Sequence, residues 1–163
     1  MSKMRLWKRE VTDPGQIRGI LEDCQVLRIG ARDQEGMFIV PVNYGYEYTD
    51  GKEILFYIHS AADGRKVRAF QEDSQVAVEL DCRDGLIRGD YACGYSMAFR
   101  SIMGNGRISL VTSPEEKRRG LELLMAHAAG GEKLEFSPDM LQAVHVYRIC
   151  VRDFRAKQRR QKT

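Results

Sequence analysis

Strand-forming segments follow one another along this chain with only short turns between them, and that spacing restricts the fold more than any other feature. Parallel neighbours need crossover connections of about a dozen residues or more, so short turns favour antiparallel pairing. The clearest strand pattern runs from Met37 to Tyr48. Phe38, Val40, Val42, Tyr44, Tyr46 and Tyr48 share one face there, and Ile39, Pro41, Asn43 and Gly45 the other. The aromatic face predicts packing, with tyrosine hydroxyls reaching water. On the opposite face Pro41 cannot donate to a ladder and Gly45 has no side chain, which predicts an edge or a place where a ligand approaches the backbone.

The flanking segments extend this pattern. Asp13-Pro14-Gly15-Gln16 joins a capping Asp to a proline at the first helical position, and Ile17, Ile20, Leu21 and Cys24 then fall on one helical face. Val26 to Arg32 reads as a strand that turns through Asp33-Gln34-Glu35-Gly36 into the Met37 strand. Thr49-Asp50-Gly51-Lys52 turns into a strand over Glu53 to Ser60, followed by a short helix from Gly64 to Gln71. Ser74 to Cys82 is a further strand, whereas Arg83 to Gly94 lacks a period and reads as a rim or lid. Tyr95 to Thr112 is long enough for a bent strand, with Gly104 and Gly106 as the places to kink. Ser113-Pro114-Glu115-Glu116 is a capping box opening a helix with Leu121, Leu124, Met125 and Ala128 on one face, and Gly130-Gly131 ends it. Ser137-Pro138-Asp139 starts one more helical turn before a last strand over Val144 to Phe154. The expected class is mainly β: an antiparallel barrel with a few helices, closure of which would remove exposed sheet edges.

Composition sets the outer bounds. At 163 residues the chain is long enough for one domain to bury its own core, placed here at residues 1–154 with a basic tail at 155–163. No apolar run approaches the length of about 18 residues that a membrane span requires, and the basic N-terminus has no apolar core behind it, so a cytoplasmic location is expected. Cys24, Cys82, Cys93 and Cys150 are widely spaced and read as buried thiols, and His59, His127 and His145 lack ligand spacing, so no metal site is expected. His127 and His145 read as packing or surface residues. The last twelve residues hold six Lys or Arg against one Asp, leaving the rest of the chain slightly acidic. Without interleaved aromatics that run reads as a solvated terminus rather than a nucleic-acid interface.

The segment from Tyr57 to Lys66 carries the chemistry. A strand, Ile54 to Ile58, passes through a short loop into a helix marked by Val67 and Phe70, and unpaired N–H groups at such an opening favour an anion. Ser60 adds a hydroxyl donor, and Arg65 and Lys66 add two cations. A phosphate monoester fits that set.

Four blocks in order, Val40-Pro41-Val42-Asn43-Tyr44-Gly45-Tyr46, Tyr57-Ile58-His59-Ser60-Ala61, Gly64-Arg65-Lys66, and Tyr95-Ser96-Met97 with Arg100-Ser101-Ile102-Met103-Gly104, resemble the pyridoxamine 5′-phosphate oxidase-like split-barrel superfamily. The wording is closest to its nitroimidazole-resistance group, over about Trp7 to Phe154. The resemblance implies an FMN-binding split barrel, antiparallel and of Greek-key type, paired as a homodimer with two flavins at the interface. It implies that Ser60, Arg65 and Lys66 hold the phosphate, and that Val42, Asn43, Tyr44, Tyr57, Ile58 and His59 line the ring. It also implies that Arg100 and Ser101 reach the cofactor, often from the partner subunit, and that Tyr95 and Ser96 line a substrate pocket. Ser101 stands where the oxidases commonly carry Gln, which counts against pyridoxamine phosphate turnover. His59, the histidine that falls inside a family motif, is the candidate catalytic residue, as proton donor to a nitro group or another acceptor.

The implied activity is a flavin-dependent oxidoreductase acting on small electron-poor molecules such as nitroimidazoles. The alternative is a non-catalytic flavin or haem binder. FMN is the first choice of cofactor, FAD and haem the others. No dinucleotide fingerprint such as G-x-G-x-x-G is present, so a nicotinamide donor is left open between NADH and NADPH.

Overall fold

The computed structural model describes residues 5–130 and 135–160. Its strands are β1 (Glu10–Val11), β2 (Leu27–Asp33), β3 (Gly36–Val42), β4 (Gly45–Thr49), β5 (Glu53–Ser60), β6 (Gln75–Ile87), β7 (Ser96–Leu110) and β8 (His145–Arg159). The helices are α1 (Pro14–Asp23), α2 (Arg65–Glu72), α3 (Pro114–Ala128) and α4 (Pro138–Ala143). Every strand pairing is antiparallel, in the order β3-β2-β6-β7-β8-β5-β4, with β1 pairing on β8. The two edges, β3 and β4, are consecutive in the chain and do not pair, so the curled sheet is split between them rather than closed. Pro41 lies on β3, an edge strand, where proline is tolerated.

The long strand expected over Met37 to Tyr48 is therefore two strands, broken at Asn43-Tyr44. The break lets the aromatic face continue inward. Tyr44 is fully buried, and its hydroxyl donates to the carbonyl oxygen of Leu21 (2.8 Å) or Cys24 (2.7 Å), at the end of α1, rather than to water. That contact and the edge-on packing of Phe56 against the Tyr44 ring fasten α1 to the barrel. Gly45 is approached by a helix and not by a ligand. A Cβ there would stand 2.3 Å from the backbone nitrogen of Leu124, and a Cβ on Gly120 would stand 2.6 Å from the Tyr57 ring. These two glycines seat α3 on the outer face of β4 and β5, over a cluster of Tyr57, Val111, Leu121 and Val146. The barrel interior forms the main core, including Leu27, Ile29, Ile54, Phe56, Ile58, Leu80, Ile102 and Ile149.

The helix openings follow their capping residues: Asp13 accepts from the Gln16 N–H, Ser113 from Glu116 and Ser137 from Met140. The end expected for α3 at Gly130-Gly131 is seen as far as Gly130, at φ +67°; Gly131 lies outside the described residues. The segment read as an irregular rim, Arg83 to Gly94, is instead strand as far as Ile87, with a bulge between Arg83 and Gly85. Gly85 takes φ +115° there, and the bulge hid the period that a regular strand would have shown. β7 carries its own irregularity at Asn105/Gly106, as its glycines predicted.

Residues 155–159 are not a free tail. They continue β8, placing Lys157 opposite Ser101 and Arg159 opposite Phe99. Backbone pairing outweighed the charge of the run; residues 161–163 lie outside the described residues. Of the four thiols only Cys24 is buried: Cys82 and Cys150 are partly covered and Cys93 is exposed. Among the described residues no helix is long and apolar enough to cross a membrane.

Candidate functional site

The junction of β5 and α2 forms the mouth of the split barrel. Along β5, Ile54, Phe56, Ile58 and Ser60 alternate into the interior, so the last inward position of an otherwise apolar strand is a serine. The chain then leaves through Ala61 to Asp63 and enters α2 at Gly64, whose φ of +135° is open to glycine and strained for other residues. Neither an N-cap side chain nor an acidic residue occupies the first turn of α2, and its N–H groups stay available. A cavity of about 450 Å³ opens here, walled by Phe38 and Val40 of β3, Ser60 and Ala61, and Gly64 to Lys66.

The charges at this mouth are not equivalent. Arg65 makes a two-pronged ion pair with Asp33, Nε to Oδ2 at 2.6 Å and Nη2 to Oδ1 at 3.0 Å, with its guanidinium 4.5 Å above the Phe38 ring. That pairing lowers the Asp33 pKa and raises that of Arg65, and it ties the start of α2 to the β2–β3 turn. Arg68 pairs with Asp63 at 2.8 Å. Lys66, half-buried, makes no ion pair among the described residues. Ser60 is 4% exposed, and its Oγ has no hydrogen-bond partner among the described residues. A buried hydroxyl without a partner is uncommon and calls for an explanation.

His59 sits next to Ser60 in sequence but on the other face of the strand, exposed, and does not wall the same cavity. Val42 and Asn43 lie at the end of β3 and in the break before β4. The side chains of Tyr44, Tyr57 and Ile58 are buried in the protein, leaving only their backbone groups for a ligand. Burial first, then the carboxylates of Glu47 and Glu116, pushes the Tyr57 pKa up to about 12. Tyr95, Ser96, Arg100 and Ser101 are on or beside β7, separated from β5 by β8. Arg100 is already held by Asp84 (2.7 and 2.8 Å) and Asp23 (2.6 Å), which raises its pKa. Within one chain the structure thus brings together Ser60, Arg65 and Lys66, and leaves the β7 group elsewhere.

Two residues that contact or pair with the mouth residues lay outside the sequence reading. Asp33 was a turn residue, and its service to Arg65 needs the β2–β3 turn folded beside α2. His145, read as packing or surface, is the register partner of Ser60. A larger concavity of about 650 Å³ lies over the outer face of β7 and β8, lined by none of the residues of the four blocks. Its arginines are engaged: Arg107 with Ser74 Oγ (3.2 Å), Arg148 with Glu116 (2.8 Å) and Arg152 with Glu53 (2.6 Å).

The sequence model of the pyridoxamine 5′-phosphate oxidase family matches residues 13–158. The chain belongs to this family. Among solved structures it is similar to a protein of Bacteroides thetaiotaomicron provisionally assigned to 5-nitroimidazole antibiotic resistance, with 27% identity over 91% of this chain and 86% of that one, at a TM-score of 0.78. The flavocytochrome Anf3 of Azotobacter vinelandii superposes at 0.77, with 20% identity over 97% of this chain and 72% of that one. An FAD and haem binding protein of Mycobacterium smegmatis superposes at 0.72, with 15% identity over 92% and 73%. No curated protein matches the chain significantly. The family's split-barrel fold and the likeness to the nitroimidazole-resistance group agree with the four sequence blocks.

Proposed function

We propose that this member of the family binds FMN, with its phosphate at the β5–α2 junction, and acts as a flavin-dependent oxidoreductase on small electron-poor substrates such as nitroimidazoles. The observation that carries the reading is the buried, unpartnered Ser60 hydroxyl beside the free N–H groups of α2 and the unpaired Lys66. A phosphate monoester would satisfy all three. FMN, when bound, supplies the redox chemistry, and the protein's part is to bind and orient it. Lys66 and Ser60 hold the phosphate, Arg65 fixes the loop through Asp33, and the backbone of Val42 to Tyr44 and of Tyr57 to His59 faces the ring. His59, exposed beside this edge, is the proton donor to the acceptor.

Tyr95, Ser96, Arg100 and Ser101 act in this reading from a second copy of the chain. Apolar side chains open to solvent on β3 (Met37, 81% exposed; Ile39, 71%) and on β7 (Met103, 53%) support such pairing. Four unpaired cysteines support a reducing, cytoplasmic setting. The two neighbours described with haem share 20% identity or less with this chain, and His127 is occupied by the Tyr44 carbonyl oxygen (2.9 Å), so flavin is the favoured cofactor.

The test is to reconstitute the purified protein with FMN, FAD or haem, identify what is retained by absorption and mass, and then reduce it anaerobically with NADH or NADPH before adding a nitroaromatic acceptor. Retained FMN that is reoxidised by the acceptor supports the reading. Protein that leaves gel filtration without flavin refutes it.

A further inference from the structure

Ser60 and His145 form the last register pair of the β5–β8 ladder. Residues directly opposite in an antiparallel pair put their side chains on one face, so both point to the barrel interior above the Ile58–Tyr147 pair. The buried side-chain nitrogen and oxygen atoms without a hydrogen-bond partner are Ser60 Oγ and His145 Nδ1 among the described residues. The two residues are cross-strand neighbours, which puts both unsatisfied atoms on adjacent residues of one sheet face. A hydrophobic column leads to the same place: the His145 ring is 6.5 Å from that of Tyr147, which is 5.5 Å from Phe70 of α2. Lys66 lies one turn before Phe70 on the same face of α2, and β8 begins at His145 just as α2 begins at Arg65. Lys66 and Ser60 wall the mouth, and His145 stands directly across the ladder from Ser60.

We infer that His145 is a further phosphate-binding residue, its Nδ1 and the Ser60 hydroxyl donating to two oxygens of one phosphoryl group held from the other side by Lys66. The inference rests on the reading of the β5–α2 junction as a phosphate site and adds the β8 contribution to it. An imidazole N–H and a hydroxyl are both donors, and a phosphate monoester offers three acceptor oxygens to receive them. Riboflavin, which ends in a neutral hydroxyl, offers no equivalent, so His145 sharpens the choice of FMN over riboflavin. An enclosed pair of unsatisfied groups weakens the flavin-free protein, and the ligand repairs it.

Flavin-fluorescence titration of the full chain with FMN and with riboflavin tests this in wild type, Lys66→Ala, Ser60→Ala, His145→Ala and His145→Gln, alongside thermal melts without flavin. His145→Ala is expected to weaken FMN at least fivefold and riboflavin less than twofold, with an equal or higher flavin-free Tm. His145→Gln, which keeps a donor, is expected to recover part of the loss. The His145 imidazole ¹⁵N resonances are expected to move on adding FMN and to stay on adding riboflavin. Unchanged FMN affinity in both His145 variants, while Lys66→Ala still weakens FMN, overturns the role of His145 alone. Equal losses of FMN and riboflavin with a lowered Tm mark His145 as structural and overturn it too. A wild-type protein that does not prefer FMN to riboflavin overturns the phosphate reading itself.

Discussion

Two of the cation-lined concave regions, the barrel mouth and the groove over β7 and β8, differ in a way that volume does not reveal. The outer groove over β7 and β8 is the larger, yet Arg107, Arg148 and Arg152 each already bond a neighbouring side chain. The barrel mouth is smaller, and among the described residues its Ser60 hydroxyl and Lys66, with the His145 imidazole nitrogen across the ladder from Ser60, are left without such partners. Charges bound to each other stitch a surface together. Donors left open at an enclosed spot stabilise whatever acceptor arrives. Unsatisfied polar capacity, rather than size or charge count, distinguishes the site from the groove.

That contrast can be broken or sharpened by substitution. The largest effect is expected at Lys66: Lys66→Ala should weaken FMN at least tenfold, a loss of about 1.4 kcal/mol or more, because the phosphate then lacks its unpaired cation. Fluorescence titration reads this directly, and an unaltered affinity would place the phosphate elsewhere. Gly64→Ala should lower stability by about 1–3 kcal/mol in chemical denaturation, since alanine at φ +135° is strained although no neighbouring atom blocks its Cβ. A smaller change would mean that the loop relaxes without cost.

In the groove, Arg152→Ala should leave FMN affinity unchanged and shift Tm by no more than about 2 °C, as expected of an exposed ion pair. A change in FMN affinity would erase the distinction between the regions. The smallest effect is in acid. Glu53 is held below its ordinary pKa by the Cys150 thiol and then the Arg152 guanidinium. Because its folded pKa is the lower one, the stability it contributes is fully present above its ordinary value of 4.5 and is lost as pH falls through the depressed value. Glu53→Gln should therefore flatten the acid limb of a Tm-against-pH curve below pH 4.5, leaving neutral-pH FMN binding alone.

Local rules wrote much of this architecture into the sequence. Capping residues Asp13, Ser113 and Ser137 opened their helices because a cap acts on N–H groups three residues away. The strand–loop–helix junction at Ser60 to Lys66 was equally local. The bulges at Arg83/Gly85 and Asn105/Gly106 and the extension of β8 over residues 155–159 depended on a partner strand. The two faces of the Met37 to Tyr48 run were misassigned in part for the same kind of reason. What met Gly45 was a helix more than seventy residues away, and what met Tyr44 was the end of α1.

The candidate site divides along the same line. Sequence alone determined the loop's donors, its glycine hinge and its adjoining cations, because these lie within seven consecutive residues, Ser60 to Lys66. Only the tertiary structure decided that Asp33 claims Arg65 and that His145 stands opposite Ser60 across the ladder. Each of these outcomes joins residues brought together by strand register, which arises from the packing of the whole barrel and not from any short stretch of chain.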